Sequence, residues 1–310
     1  MQGAFVQFLK PFFRKQSVDL IVTVLEIVAP VFLLAAVGFI WVKLGFEYRI
    51  QFVTQLAMTL SVPCLIFVSL MQAKMDPAAL TALTLASFVA YAAVTLVIWG
   101  LSKVGGLNTR TYMAPLIFGN TGNLGLPLAL FAFGEAGLSN AIVVFAVMAI
   151  LSFTFGIWLV SGEGALGKVV REPLVAATLL GALFLWQGWE TPKFLTNTLS
   201  LIGQMAIPIM LITLGVAVAR LNPRGIAKAA FLSLLKLIIC TGVAWLVADY
   251  FALGHIAFGV LVLQVATPVA VTSYLLAEKY GADSDAVAGL VVTSTLMAVG
   301  ALPLILAVLL

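Results

Sequence analysis

Charge is what this sequence has least of. Of its 310 residues only 9% are Asp, Glu, Lys or Arg, while 63% are hydrophobic. Soluble domains sit nearer a quarter charged and half apolar. A chain this apolar lacks the polar groups to cover a water-facing surface. Lipid as solvent removes that conflict. The net charge of +4 is scattered over loops, which excludes the basic stripe of a nucleic-acid binder. Cysteine occurs only at Cys64 and Cys240, in two apolar runs far apart. That excludes paired-cysteine metal spacing, and both read as small core residues. Histidine occurs once, at His255.

Catalytic motifs are missing too. There is no H-E-x-x-H, no G-x-S-x-G and no P-loop. Gly119-x-x-Gly122-x-x-Gly125 is not the dinucleotide fingerprint, and no strand precedes it. An intramembrane protease would want paired aspartates or a Ser–His pair, and a single terminal histidine speaks against it. Neither an enzyme nor a bound cofactor or metal is expected.

What is present is a succession of apolar runs. They lie at about 20–42, 50–71, 78–101, 111–133, 138–160, 171–189, 198–219, 226–250, 254–278 and 285–309, and each is long enough to cross about 30 Å of hydrocarbon. The expected fold is an all-α polytopic membrane protein with ten transmembrane helices. Residues 1–19, with Lys10, Arg14 and Lys15, resemble the start of a signal peptide. The run Leu20–Trp41 is too long for one, so an uncleaved first helix is expected. Phe5, Phe8, Leu9, Phe12 and Phe13 of that tail would suit the membrane interface. Trp41, Trp99, Trp158, Trp186 and Trp189 near span ends read as an aromatic belt.

The sequence repeats itself. Pro30 and Gly38 recur as Pro173 and Gly181, and Gly45 matches Gly188 in the same register. Ser-Val-Pro63-Cys-Leu-Ile-Phe resembles Ala-Ile-Pro208-Ile-Met-Leu-Ile, and Phe133-Gly134 matches Tyr280-Gly281. The offset stays near 145 residues. Several matches in order point to a duplicated five-helix unit, 20–165 and 166–310. Five is odd, so the second copy would enter the membrane from the opposite side, an architecture frequent in secondary transporters.

Orientation follows from loop cations. One side would hold Lys43, Arg49, Lys103, Arg110, Lys168, Arg171, Arg220, Arg224, Lys228 and Lys279. The other would hold Lys10, Arg14, Lys15, Lys74 and Lys193. The richer side is expected to be cytoplasmic, which places both termini outside, although the basic N-terminal tail opposes this. A bacterial inner membrane is the expected location.

The fourth span contains Gly119-Asn-Thr-Gly-Asn-Leu-Gly-Leu-Pro127. Glycine costs a helix about 1 kcal/mol and proline about 3 kcal/mol. The ninth span carries a counterpart, Gln264-Val-Ala-Thr-Pro268-Val-Ala-Val-Thr272-Ser273. Irregular backbone survives at membrane depth only where protein buries it or water reaches it. Paired interruptions in two halves are the best sequence pointer to a transport site. Half-helix N-termini exposed by such breaks attract anions. Asn120, Thr121, Asn123, Gln264, Thr267, Thr272 and Ser273 would add neutral donors and acceptors, with Pro127 and Pro268 setting the breaks. No carboxylate lies among them, so a small organic anion fits better than a cation. The plainer alternative is a pair of packing kinks with glycines admitting close helix contact.

Lys236 falls about mid-way along the eighth span, where a cation costs about 2.5–3.5 kcal/mol. Either it snorkels, or it serves as a fixed positive charge behind the breaks, or it pairs with Glu26 or the Gln264 region. Glu26 itself could reach the headgroups. His255 opens a span and reads as a polar anchor rather than a proton relay.

Together with Leu-Ser61-Val-Pro63-Cys-Leu-Ile-Phe67, these two motifs resemble the auxin efflux carrier family, from about residue 20 onward. That family includes plant auxin exporters and bacterial carriers annotated for malate or malonate. The resemblance implies two inverted five-helix repeats. Helices 1, 2, 6 and 7 would be a scaffold, with Ser61 in a supporting place, and helices 3–5 and 8–10 a moving transport domain. Helices 4 and 9 would cross at breaks falling on Asn120, Asn123, Pro127 and Pro268. The long loop of the plant members shrinks here to about Gly162–Glu172, so an auxin substrate is not implied. The family is similar in fold to bile-acid sodium symporters, which hold sodium near the crossover. Here Lys236 would stand in for that cation. The expected partners are a small organic anion and the lipid bilayer, and a homodimer stays open. A sodium-coupled symporter and a non-transporting membrane sensor remain the alternatives to a carrier of the elevator type.

Overall fold

The computed structural model describes residues 2–73, 76–161, 173–221 and 225–310. The first half runs α1 (Gln2–Lys43), α2 (Ile50–Leu56), α3 (Val62–Met71), α4 (Pro77–Val104), α5 (Thr109–Ile117), α6 (Leu126–Leu151) and α7 (Ile157–Ser161). The second runs α8 (Pro173–Gln187), α9 (Lys193–Gln204), α10 (Ala206–Arg220), α11 (Ile226–Tyr250), α12 (His255–Val265), α13 (Val271–Tyr280) and α14 (Ser284–Leu309). Wide π-helical turns join α2 to α3 (Ala57–Ser61), lead into α6 (Thr121–Gly125) and join α6 to α7 (Ser152–Gly156). Among the described residues there is no strand, only one isolated bridge.

Among the described residues seven stretches are long and apolar enough to cross a membrane: Val22–Lys43, Ile50–Met71, Ala78–Val104, Thr121–Ser161, Lys193–Arg220, Ile226–Tyr250 and Ser284–Leu309. Two shorter apolar helices are Ala176–Gln187 and His255–Val265. Their outer faces are apolar, with Leu96, Trp186, Leu246 and Leu304 well exposed, as hydrocarbon contact requires. The expected spans 111–133 and 254–278 are not single helices. Each is divided, at 118–120 and at 266–270. The stretch Thr121–Ser161 turns within itself at Gly134 (φ 64°, ψ −156°).

The first helix also departs from expectation. Residues 2–19 continue α1 without interruption rather than forming a separate tail. At 1.5 Å per residue its 42 residues span about 63 Å, roughly twice the hydrocarbon core. The side chains of that extension lie outside the described residues, as do Lys74, Lys168, Arg171, Arg224 and the join Gly162–Glu172.

Proline explains where helices yield. It has no N–H, and its ring clashes with the carbonyl four residues earlier. For Pro63 and Pro127 those residues are Thr59 and Asn123, each inside a widened turn. For Pro208 and Pro268 they are Gln204 and Gln264, at or beside the end of a helix that stops there.

Glycine decides the closest packing. A Cβ on Gly38 would strike the Ile212 carbonyl, and one on Gly215 the Ala35 carbonyl, so α1 lies backbone to backbone against α10. A Cβ on Gly181 would meet Leu70 Cβ at 2.9 Å, where α8 lies on α3. Helix ends recur as well. Gly45 and Gly188 are left-handed (φ 86° and 65°), as are Gly134 and Gly281 (64° and 67°) and Gly106 and Ala252 (60° and 47°). Leu107 N–H reaches back to the Ser102 carbonyl at 2.9 Å, and Leu253 N–H to Ala248 at 3.1 Å. These are the same helix-ending turn. Trp41 packs on Phe46 at 4.8 Å, and Phe184 on Trp189 at 5.6 Å, the same pair with the rings exchanged.

Candidate functional site

The two divided helices meet at their interruptions. Phe118 leaves the helical region (φ −93°, ψ 123°), which ends α5. Gly119 then pairs with Val269 in an antiparallel bridge, and Asn120 N–H donates to the Pro268 carbonyl at 2.7 Å. The backbone freed by one break is thereby satisfied by the other, as membrane depth demands. On the far side, Val269 N–H donates to Ser294 Oγ at 3.0 Å.

The contact needs glycine. A Cβ on Gly119 would run into the Thr267 hydroxyl, with the Thr267 carbonyl 2.9 Å away. A Cβ on Gly125 would fall on the Gln264 amide. The first break thus opens two slots, and side chains of the second fill them. Thr267 Oγ1 in turn donates to the Gln264 carbonyl at 2.6 Å, closing the end of α12. Past the bridge, the N–H groups of Leu124 and Gly125 both reach the Asn120 carbonyl at 3.1 Å, which widens the turn before Pro127.

This junction is dry and polar. Thr121, Gln264 and Thr267 have no exposed surface and Asn120 almost none. Asn120 Nδ2, Thr121 Oγ1 and both amide atoms of Gln264 have no partner. An orphaned buried polar group costs about 1–3 kcal/mol. Ser61 Oγ, in the π turn of the second span, is likewise buried and unpartnered.

Lys236 lies behind this junction. It is 2% exposed, so it does not snorkel. Its Nζ donates to Cys240 Sγ at 3.7 Å, and that thiol lies 4.0 Å from the Leu116 carbonyl. A void of about 10 Å³ separates it from Ala266, Thr267 and Pro268. It packs against Cys240, which reaches the last turn of α5 at Leu116, and lies across the void from the residues that follow α12. Pairing with Glu26 does not occur. Glu26 sits on an exposed face of α1, and among the described residues no ion pair of Lys236 with a carboxylate is found. His255 packs edge-on against Phe133 at 6.4 Å, at the start of α12.

Two cavities flank the junction. A large one, about 520 Å³, is lined by Leu65, Val68, Gln72, Glu135, Ser200 and Gln204, among others. A small one, about 30 Å³, is lined by Thr54, Met58, Asn123, Met210, Thr213 and Thr272. Of the residues singled out from sequence, Asn123 and Thr272 face this small cavity. Asn120, Thr121, Gln264 and Thr267 are sealed in the junction, Pro127 and Ser273 are buried beside it, and Pro268 lies in the gap. The motif search missed Thr54, Thr213, Glu135 and Ser294. Thr213 stands five residues after Pro208, so repeat alignment could have found it. Its hydroxyl bonds Tyr48 Oη at 2.7 Å, and burial holds that phenol above its usual range despite this bond.

A family model described as membrane transport protein matches residues 23–170 and 163–306. An uncharacterized transporter of Methanothermobacter thermautotrophicus is 29% identical over 303 residues, 90% of this chain and 96% of that protein. Another, from Methanocaldococcus jannaschii, is 26% identical over 207 residues, 62% of this chain and 64% of that protein. The chain is a multi-pass membrane protein of a transporter class. It belongs to the membrane transport protein family, that of the auxin efflux carriers. Both of these relatives are archaeal, so they give no support to a bacterial membrane in particular.

Proposed function

We propose that this protein is a secondary carrier of a small organic anion, working by alternating access between two inverted five-helix repeats. The ten spans would be the six long stretches other than Thr121–Ser161, α8, the two divided helices 111–133 and 254–278, and the part of Thr121–Ser161 that follows Gly134. The single observation that carries this reading is the pair of unequal cavities. At the offset of 145 set by Pro63 and Pro208, Met58, Met210 and Thr213 of the small cavity correspond to Gly203, Leu65 and Val68 of the large one. One cavity is large, about 520 Å³, and the other small, about 30 Å³. Two related halves that exchange conformations would open the second and close the first.

The packing supports the same division. The first helix of each half lies on the second helix of the other, through Gly38 and Gly181. Helices α1–α3 and α8–α10 would form the scaffold, and α4–α7 with α11–α14 the moving elevator. The substrate site is assigned to the crossing of the fourth and ninth spans. Asn123 and Thr272 would touch the anion at the ends of two half-helices, with Asn120, Thr121, Gln264, Thr267, Ser273, Pro127 and Pro268 shaping the junction. Lys236 would neutralise the opposed helix C-termini in place of a sodium ion. Both termini would face outside, on the side of the large cavity.

The test uses single cysteines in a Cys64→Ala, Cys240→Ala background. Ser200→Cys is expected to react with a membrane-impermeant thiol reagent from the terminal side. Thr54→Cys is expected to be protected there, and to react from the opposite side during turnover. Reaction of both from one side, together with flux that does not saturate, would point to a channel. Anion binding with no flux at all would point to a sensor.

A further inference from the structure

We propose that the carrier takes its anion as a monoanion, and that Glu135 enforces this at the mouth of the large cavity. This deepens the organic-anion reading above and rests on it. Glu135 follows the left-handed Gly134, which turns the chain and presents residue 135 at an exposed place on the cavity rim. Gln72, Ser200 and Gln204 line the same cavity. Among the described residues lining either cavity, Glu135 is the only charged one.

Among the described residues no cation lines either cavity. Lys236 is buried behind the junction and lines neither cavity. What remains is the positive end of the stretch beginning at Thr121 and that of α13, beginning at Val271. Each such end is equivalent to about half an elementary charge. Two of them match one carboxylate and leave a second uncompensated. The second charge would also feel Glu135 on entry. A dicarboxylate would then be carried in its singly protonated form.

Malonate and monomethyl malonate share a skeleton and differ by one charge above the second ionisation of malonate. Binding of each to the purified full-length protein is measured by thermal shift, and competition by counterflow in proteoliposomes. Wild type is expected to prefer the monoester. Glu135→Gln should raise the affinity ratio of malonate to monoester about threefold or more, the scale of one unit-charge repulsion in a partly aqueous cavity. Glu135→Asp should keep the wild-type ratio. High salt should flatten the difference by screening, an effect that a merely structural role would not produce. A ratio unmoved by Glu135→Gln, or wild-type preference for malonate, would overturn the filter while leaving the carboxylate site standing. Failure of both anions to bind would overturn the organic-anion reading and the filter with it.

Discussion

The two interruptions meet the same demand with different residues. The first is built from glycines and a widened turn, with no side chain of its own reaching across. The second has no glycine between Gln264 and Ser273. It ends its helix on Pro268 and places Thr267 and Gln264 into the slots left by Gly119 and Gly125. The lesson is complementarity. One break is a receiving surface and the other an inserting one, so the two are not interchangeable. Their shared feature is the backbone pairing at Gly119 and Val269, which removes the unsatisfied polar groups that would otherwise forbid a break in the membrane.

The strongest way to break this comparison is to fill a slot. Gly125→Val is expected to abolish a monodisperse, folded carrier, because the branched side chain cannot share space with the buried Gln264 amide. Gly125→Ala should cost about 1–3 kcal/mol. Adding Gln264→Ala should recover part of that, a coupling readable as a double-mutant cycle of melting temperatures in detergent. Simple additivity would show that the slot is not specific to Gln264.

A second change separates function from folding. Asn123 borders the small cavity instead of filling the junction. Asn123→Ala should reduce uptake at least tenfold while moving the melting temperature little, since surface-type substitutions stay within about 0.5 kcal/mol. Normal uptake would remove Asn123 from the site.

The third concerns what both breaks share. Lys236 packs on Cys240 beside the last turn of α5 and shares a small void with the residues that follow α12. Lys236→Ala should weaken anion binding several-fold, and wild-type uptake should not respond to a sodium gradient. Strict sodium dependence in the wild type would sink the role assigned to this lysine.

The smallest effect tests the kinship of the halves away from the site. Gly106 and Ala252 hold the same left-handed conformation after α4 and α11. Gly106→Ala should cost about 1 kcal/mol, and Ala252→Gly should gain up to about as much, because a Cβ strains this region. Equal and opposite shifts in melting temperature would match the two turns.

Much of this was legible in the residues. Glycines with Pro127 marked the first break and Pro268 the second, because those residues penalise helices locally. Gly45 and Gly188, and Gly134 and Gly281, all came out with positive φ, a backbone that glycine adopts without steric cost. The count of uninterrupted spans was less accessible. Hydropathy averages over a window, so it reads 111–133 and 254–278 as continuous where the chain is divided. Glu26 and Lys236 were candidates to pair on polarity alone, and distance separates them.

By itself the sequence determined the solvent, the helices and the places where they fail, since each follows from local composition. Only the tertiary structure decided which residues meet at the breaks. It also decided that Lys236 packs against Cys240, and that the two cavities differ in volume, about 520 Å³ against about 30 Å³. Those outcomes depend on contacts between segments about 145 residues apart. No local preference encodes them, because they exist only once two halves pack against each other.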